Sequence, residues 1–472
     1  MAHLVEGPLE LPAYGARVLD VLESAGHEAW AVGGWVRDSL LGRPSHDVDV
    51  TTSARWPDAK AALEAAGIDV HETGTAHGTI TAVVDGEPVE VTTYRVEGTY
   101  TDMRHPDSVT FVSSVTDDLA RRDFTINAMA WHPTRGLLDP FGGRDDLVSG
   151  VIRAVGDPAT RFSEDALRVL RAVRFACRMG FVVEEATQSA LTAAAPELAH
   201  VARERVGSEM GGILGSGRAG WALMNELEVM SAAIPSLGHL AGFEQNSPYH
   251  CYDVLVHTVH VMDSMEAITQ GEAPARLRWA SMLHDIAKPR CYTVGPNGQG
   301  HFFGHPAEGA RMTDSIMRDL AIPLAITRPA VVEVRLHDRP VKASRQSVCK
   351  FLADLDRRLQ DADEDLTGKV AHEILVLKRA DALAKAQPYR GYAFEVEEVE
   401  RVLDQVLSEG ACFRVRDLAV SGADVMAACD MRPGREVGET LSRVLDAVME
   451  GRVPNDRDAI TVALADGTIA SS

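Results

Sequence analysis

The rhythm of hydrophobic and polar positions changes once along this chain, near residue 163. Before that point, short β-like runs alternate with loops. Ala29-Trp30-Ala31-Val32 runs into Gly33-Gly34, and His46 to Thr51 alternates polar and apolar. Residues 78–84 and 88–94 read as two Val- and Thr-rich strands joined by the turn Asp85-Gly86-Glu87. Apolar spacing predicts helices over 15–27 and 57–67. From Ser163 onward the pattern is almost wholly helical. Ser163 is the expected N-cap of a helix running to Cys177, with Glu164 and Asp165 in its first turn. Further helices are expected up to about 234, then at 249–268, 275–287, 306–320, 346–360, 368–386 and 394–408. The pattern therefore predicts an α+β chain, with an α/β N-terminal third and an almost wholly helical remainder. No internal repeat interrupts this order.

At 472 residues, a chain with 45% hydrophobic and 25% charged positions has the profile of a multidomain globular protein. No apolar stretch approaches the roughly 18 residues of a membrane span, and the first residues lack the charge and apolar pattern of a secretory signal. Six scattered cysteines without a CxxC pair fit free thiols in a reducing compartment. The expected location is the cytoplasm, with neither membrane nor DNA as partner. Lys and Arg number 47 against 69 Asp and Glu, a net charge of −22. Such a surface repels nucleic acid, so any RNA contact must be confined to a local cluster of arginines.

Two constellations carry chemistry. Gly33-Gly34-Trp35-Val36-Arg37-Asp38 lies between a strand and a helix, and Asp47-Val48-Asp49 follows. Paired glycines there let backbone amides approach a phosphate, and Arg37 adds charge to the same ligand. Asp47 and Asp49, one residue apart on a strand, leave the same face, as a Mg²⁺ site requires. Arg168, Arg171, Arg174 and Arg178 form one helical stripe, interleaved with Leu167, Leu170 and Val173. It is the local cluster that the charge balance demands.

Together these residues resemble the nucleotidyltransferase superfamily, specifically the class II tRNA nucleotidyltransferases (CCA-adding enzymes) and bacterial poly(A) polymerases. Three later motifs carry the resemblance onward: Arg121-Arg122-Asp123-Phe124 to Ala130, Asp139-Pro140-Phe141-Gly142-Gly143, and Glu164-Asp165-Ala166-Leu167-Arg168 to Ala176. The resemblance implies that Gly33, Gly34, Arg37, Arg122, Arg171 and Arg174 contact the nucleotide and that Asp47 and Asp49 hold Mg²⁺. It also implies a small α/β head with a mixed sheet (15–150), a helical neck and body (151–245), a third helical domain (246–390) and a helical tail (391–472), and that Asp165 and Arg168 template the incoming base. That last role suits their chemistry. An Asp can accept from the exocyclic amine of cytosine or adenine while an Arg donates to the ring nitrogen beside it. Guanine and uracil present the reverse pattern. The expected partners are thus tRNA, CTP and ATP, with addition of C, C and A to tRNA 3′ ends. A poly(A) polymerase on the same head is the alternative. Glu90 is placed either as a third carboxylate or as an exposed strand residue.

The second constellation, His257, then His284-Asp285, then Asp381, follows the ligand order of the HD phosphohydrolase domain. Imidazoles and carboxylates from several helices suit a divalent transition metal, and His305 and His337 are candidates for a second one. Both a hydrolase acting on RNA ends or nucleotides and a metal-bound inactive domain remain open at this point. Gly215 to Gly220 spells GxGxxG, but no strand precedes it; an inter-helix turn is expected.

Overall fold

The computed structural model describes residues 4–5, 7–97, 109–359 and 366–469. It comprises two compact units. One is formed by Met1–Arg218 with Asn225–Pro235, the other by Ala219–Met224 with Ser236–Ser472.

The first unit opens with a helix, Ala13–Ser24, and a seven-stranded mixed sheet. Its strands are β1 (Ala29–Val32), β2 (Val48–Thr52), β3 (Asp69–Gly74), β4 (Thr79–Val84) and β5 (Glu87–Thr93). Next come β6 (Arg95–Glu97) and β7 (Val109–Phe111), a separate pair, then β8 (Ala130–His132) and β9 (Gly136–Leu138) of the main sheet. The order in the main sheet is β3-β4-β5-β2-β1-β8-β9. Only β2 and β5 run parallel, and this places Asp49 directly beside Glu90. The β4–β5 hairpin turns through Asp85 (φ 54°) and Gly86 (φ 88°). Two left-handed residues in a two-residue loop match the twist of the strands. The core under this sheet gathers Trp30, Val32, Tyr94, Leu119, Ala128 and Ala130.

The helical region departs from expectation at Ser163. That residue does not cap a helix; its hydroxyl donates to the Thr160 carbonyl (2.9 Å). Asp157 is the cap instead. Its carboxylate accepts from the Thr160 amide (2.8 Å), and Pro158 occupies the first turn of a helix, Pro158–Glu164. Asp165 then breaks the helix in an extended conformation (φ −144°, ψ 103°), and a new helix, Leu167–Met179, follows. Asp165 and Arg168 therefore do not sit one turn apart on a helix. The Asp165 side chain accepts from the Leu167 amide (3.0 Å), a local bond that competes with helix continuation.

The third motif has a structural explanation. Asp139 accepts from the amides of Gly143 (2.8 Å) and Arg144 (2.9 Å), tying down the start of helix Gly143–Ser149. A Cβ on Gly143 would lie 2.2 Å from the Thr125 carbonyl oxygen. Gly143→Ala is expected to cost about 2 kcal/mol or more in head stability through overpacking against backbone. Thermal denaturation followed by tryptophan fluorescence checks this; an unchanged midpoint would refute it.

The second unit is helical apart from the two-residue pair Thr293–Val294 and Gly300–His301. The helix expected from 249 starts at Val254, where the Asp253 carboxylate accepts from the Val256 amide (2.7 Å). One helix, Leu324–Leu336, escapes the sequence pattern because Pro329 lies inside it. The helices Arg345–Leu359, Leu366–Leu383, Tyr392–Ser408, Arg435–Met449 and Arg457–Ala465 share one hydrophobic core. Among the described residues no helix is long and apolar enough to cross a membrane.

Glu333, on the helix with Pro329, is fully buried, and neither carboxylate oxygen has a hydrogen-bond partner among the described residues. Arg276 is committed to Glu373 (2.6 and 2.5 Å) and reaches Glu333 only at 3.9 Å. Burial and the neighbouring Glu373 carboxylate hold the Glu333 carboxyl well above its usual range. The folded protein thus prefers the proton, while the unfolded chain releases it near pH 4.3. Stability falls as pH rises above that value towards the folded pKa. Glu333→Gln should stabilise by about 1 kcal/mol at pH 8 and by much less at pH 5, read from thermal midpoints at the two pH values.

Candidate functional site

A cavity of about 700 Å³ opens in the first unit. Gly33, Gly34, Arg37, Asp49, Glu90, Arg122, Asp165, Arg168, Arg171, Arg174 and Arg178 all line it, joined by His77, Arg95, Arg121, Asp123, Asn127, Phe175 and Arg205. Nine arginines face four carboxylates there, a local positive excess in a chain of net charge −22. Asp47 is exposed at the entrance to β2 and is not part of the wall, but its charge reaches Asp49.

The glycine turn is built as its sequence suggests. Gly33 has φ 73° and ψ −130°, a conformation closed to side-chain-bearing residues, and a Cβ there would approach Arg122 Nη1 to 3.0 Å. Gly34 opens helix Gly34–Leu40. Arg37 is buried, clamped by Asp38 (2.9 and 2.8 Å) and by Asn127 Oδ1 (2.6 Å). Asp49 is crowded by burial, Glu90 and Asp47, which push its carboxyl up to about 7 despite Arg122. Asp49 and Glu90, side by side on the cavity wall, offer carboxylate oxygens of the kind a hard divalent cation takes, with Asp47 outside the wall.

Across the cavity the arginines are held at fixed stations. Burial alone would raise the Asp123 carboxyl, but Arg171 (2.9 Å) and Asn127 (3.0 Å) keep it at about 2. Arg174 donates to Glu209 (2.6 Å). The guanidinium groups of Arg37, Arg171 and Arg174 surround the buried Phe175 ring at 5.2, 5.6 and 4.5 Å.

The Asp165–Arg168 pair faces the same cavity from a rigid frame. Arg168 Nη1 donates to Glu164 (2.6 Å) and the Arg161 carbonyl (3.1 Å), and Nη2 to the Arg121 carbonyl (3.0 Å). That leaves its Nε hydrogen and one Nη2 hydrogen without a partner among the described residues. Arg205 grips Asp165 with two bonds (2.7 and 3.3 Å). Arg205 and Glu90 are the residues that sequence reasoning missed or left open. Arg205 lies 40 positions from its partner, outside any motif, and only the fold brings them together.

In the second unit, His257, His284 and Asp285 offer ligand atoms within 4.8 Å of one another, and so do Asp285, His305 and His337. Asp285 is common to both groups. His257 Nε2 lies 3.0 Å from Asp381 and 3.5 Å from Asp285; His284 Nε2 lies 3.1 Å from Asp285. Burial alone would raise the Asp285 carboxyl, but His284 and Lys288 (2.7 Å) hold it well below the usual carboxylate range. Burial pushes His337 down to about 3, leaving a neutral imidazole, the ligand form. Apart from these close ion-pair contacts, His284 Nε2 and both Asp285 oxygens are buried with no well-aligned hydrogen bond among the described residues. A mixed nitrogen and oxygen set of this kind fits a transition metal. Lys288 follows Asp285 by three residues, at the end of the turn between helices Ala275–Leu283 and Lys288–Cys291, and was not singled out from sequence. The GxGxxG stretch is a turn after helix Arg203–Leu214, with Gly217 left-handed (φ 71°) and no strand before it.

Known proteins match this layout. Residues 29–153 match the poly A polymerase head domain, 180–240 an RNA and SrmB-binding site of polymerase A, 249–386 the HD domain, and 342–464 tRNA nucleotidyltransferase domain 2. The CCA-adding enzyme of Levilactobacillus brevis is 49% identical over 453 residues, covering 95% of this chain and 96% of that protein. That of Leuconostoc mesenteroides is 33% identical over 445 residues, covering 94% and 93%. The crystal structure of the Bacillus stearothermophilus CCA-adding enzyme in complex with CTP aligns with a TM-score of 0.68 and 28% identity, covering 98% of this chain and 99% of that one.

Proposed function

The chain belongs to the CCA-adding enzyme family, and from that premise we propose how its residues add C, C and A to tRNA 3′ ends from CTP and ATP. The observation that supports this best is the single cavity holding Asp49, the arginine stations and the Asp165–Arg168 pair together. Gly33 and Gly34 bring the backbone to the triphosphate, with Arg37, Arg122, Arg171 and Arg174 neutralising its oxygens. Asp165 accepts from the exocyclic amine of cytosine or adenine, and the remaining Arg168 hydrogens donate to the adjacent ring nitrogen. The 3′-hydroxyl of the tRNA forms the new bond at the α-phosphorus as the bond to pyrophosphate breaks. The chain's contribution is positioning and charge neutralisation.

Asp47 and Asp49, with Glu90 beside them, would hold Mg²⁺. When bound, the ion supplies Lewis-acid stabilisation of phosphoryl charge. In the second unit His257, His284, Asp285 and Asp381 would hold a transition metal, making this a second, phosphohydrolase-type centre acting on phosphate esters. The chain is assigned to the cytoplasm, where its substrates are. The proposed divisions are 15–150 for the head, 151–245 for the neck and body, 246–390 for the HD domain and 391–472 for the tail.

The test offers a tRNA lacking its 3′ end CTP alone, ATP alone, or both, with Mg²⁺. Two additions with CTP, and a third only when ATP is also present, support the proposal. A long ladder of A overturns it in favour of a poly(A) polymerase.

A further inference from the structure

A second groove, of about 490 Å³, lies beside the histidine–aspartate cavity and shares Gly304 and Pro306 with its wall. Four arginines line it: Arg335 and Arg339, around the end of helix Leu324–Leu336, and Arg357 and Arg358, in the last turn of helix Arg345–Leu359. Asp354 is the acid among its lining residues. It pairs with Arg339, with Arg358 at 3.1 Å and with Arg357 at 3.5 Å. Arg335 makes no ion pair among the described residues. One carboxylate would be satisfied by one guanidinium; four arginines leave an excess of positive charge on a strongly acidic protein. Arg335, Arg357 and Arg358 are exposed, so the excess faces solvent.

The neighbouring cavity, of about 470 Å³, carries Lys288 and Lys385 on its wall together with Asp285, Asp338 and Asp381; Lys288 pairs with Asp285 and Lys385 with Asp381, both at 2.7 Å. Its rim presents Phe303, 79% exposed and stacked on His301 (5.2 Å between rings, 12° between planes). An exposed flat ring beside cations offers a platform for a nucleobase. A mononucleotide would occupy this cavity alone and have no use for the arginines. A strand with several phosphates would use both.

The geometry points to the arginine groove as a docking lane for the phosphodiester backbone of single-stranded RNA, whose terminal phosphate enters the histidine–aspartate cavity and whose last base stacks on Phe303. This rests on the reading of that cavity as a phosphohydrolase centre and narrows its substrate from phosphate esters to RNA ends. Charge complementarity between the groove arginines and a phosphodiester backbone, and a wall shared with the histidine–aspartate cavity, identify the occupant.

The test uses the full chain and a photoreactive oligoribonucleotide bearing a 3′-phosphate, with crosslinked peptides mapped by mass spectrometry. Crosslinks are expected between residues 303 and 358. In Arg335→Ala/Arg357→Ala they should fall about tenfold while crosslinks to the head persist. A charge reversal, Arg358→Glu, should act in the same direction. Crosslinks confined to the head, crosslinks unchanged by these variants, or displacement by polyglutamate in preference to unlabelled RNA would overturn the lane. Phosphate release separates the two readings. The double variant should lose about tenfold in kcat/KM on the oligonucleotide and keep wild-type activity on p-nitrophenyl phosphate. Equal loss on both esters overturns the lane. Groove crosslinks from a wild-type protein that hydrolyses neither ester support the lane and overturn the hydrolase reading.

Discussion

Replacing Asp49 with alanine should lower the rate of C addition by roughly 10³-fold or more, with little change in CTP affinity. Asp49 stands beside Glu90, its register partner, on the cavity wall, and feels the charge of Asp47. Arg37, Arg171 and Arg174, proposed to grip the triphosphate, are anchored elsewhere, on Asp38, Asp123 and Glu209, so binding should persist. The loss is therefore expected in kcat, measured by single-turnover addition to a truncated tRNA; a loss confined to KM would refute the role. The same residue should show the opposite sign in stability. Its carboxyl is raised to about 7 by burial and like charge. In the metal-free protein its stabilising contribution is present below pH 4 and is lost as pH rises through 7. Asp49→Asn should therefore melt higher than the wild type at pH 8 without Mg²⁺, by an amount on the order of 1 kcal/mol, and the difference should shrink at pH 5. Asp47 is exposed, so Asp47→Asn should lose activity with little gain in stability.

Removing the carboxylate proposed to read the base should be nearly as damaging and more revealing. Asp165→Ala is expected to reduce kcat/KM for CTP and ATP by about 10²-fold each and to shrink discrimination against UTP and GTP by about tenfold. Asp165 accepts from the Leu167 amide and twice from Arg205, which leaves capacity for one further donor, the exocyclic amine of the base. Without the carboxylate, the amine loses its acceptor and Arg205 loses its anchor. Arg205→Ala separates these effects. It keeps the carboxylate but frees its orientation, so kcat/KM should fall less while selectivity still loosens. Competition between CTP and UTP on one primer tRNA measures both. Unchanged selectivity in Asp165→Ala would place base recognition elsewhere.

The parts of this site that can be read from sequence are those built locally. Gly33 and Gly34 follow a strand and precede a helix, and a positive φ at Gly33 is a property of the residue itself. Asp49 takes its place in a strand as the alternation predicts, while Asp47 lies just before that strand and off the cavity wall; Arg171, Arg174 and Arg178 follow the period of a helix. The ligand order from His257 to Asp381 is visible because each residue sits in its own helical pattern. The misreadings are local contests that tertiary structure or one side chain settled. Asp157-Pro158 outcompeted Ser163 as a helix start, Asp165 broke the helix it was expected to join, and the helix through Pro329 hid behind a residue that ordinarily ends one.

What the chain order could not contain is who faces whom. Sequence alone determined the α/β character of the first part of the chain, the glycine turn and the arginine stripe, because backbone sterics and side-chain periodicity act over a few residues. Only the folded chain decided that Glu90 stands beside Asp49 through the one parallel pairing in the sheet, and that Arg205 reaches back to Asp165. Likewise it decided that Asp285 is shared by two histidine groups and that four arginines converge beside them. Those proximities arise from packing distant helices and strands around common cores, and a one-dimensional pattern carries no record of that packing.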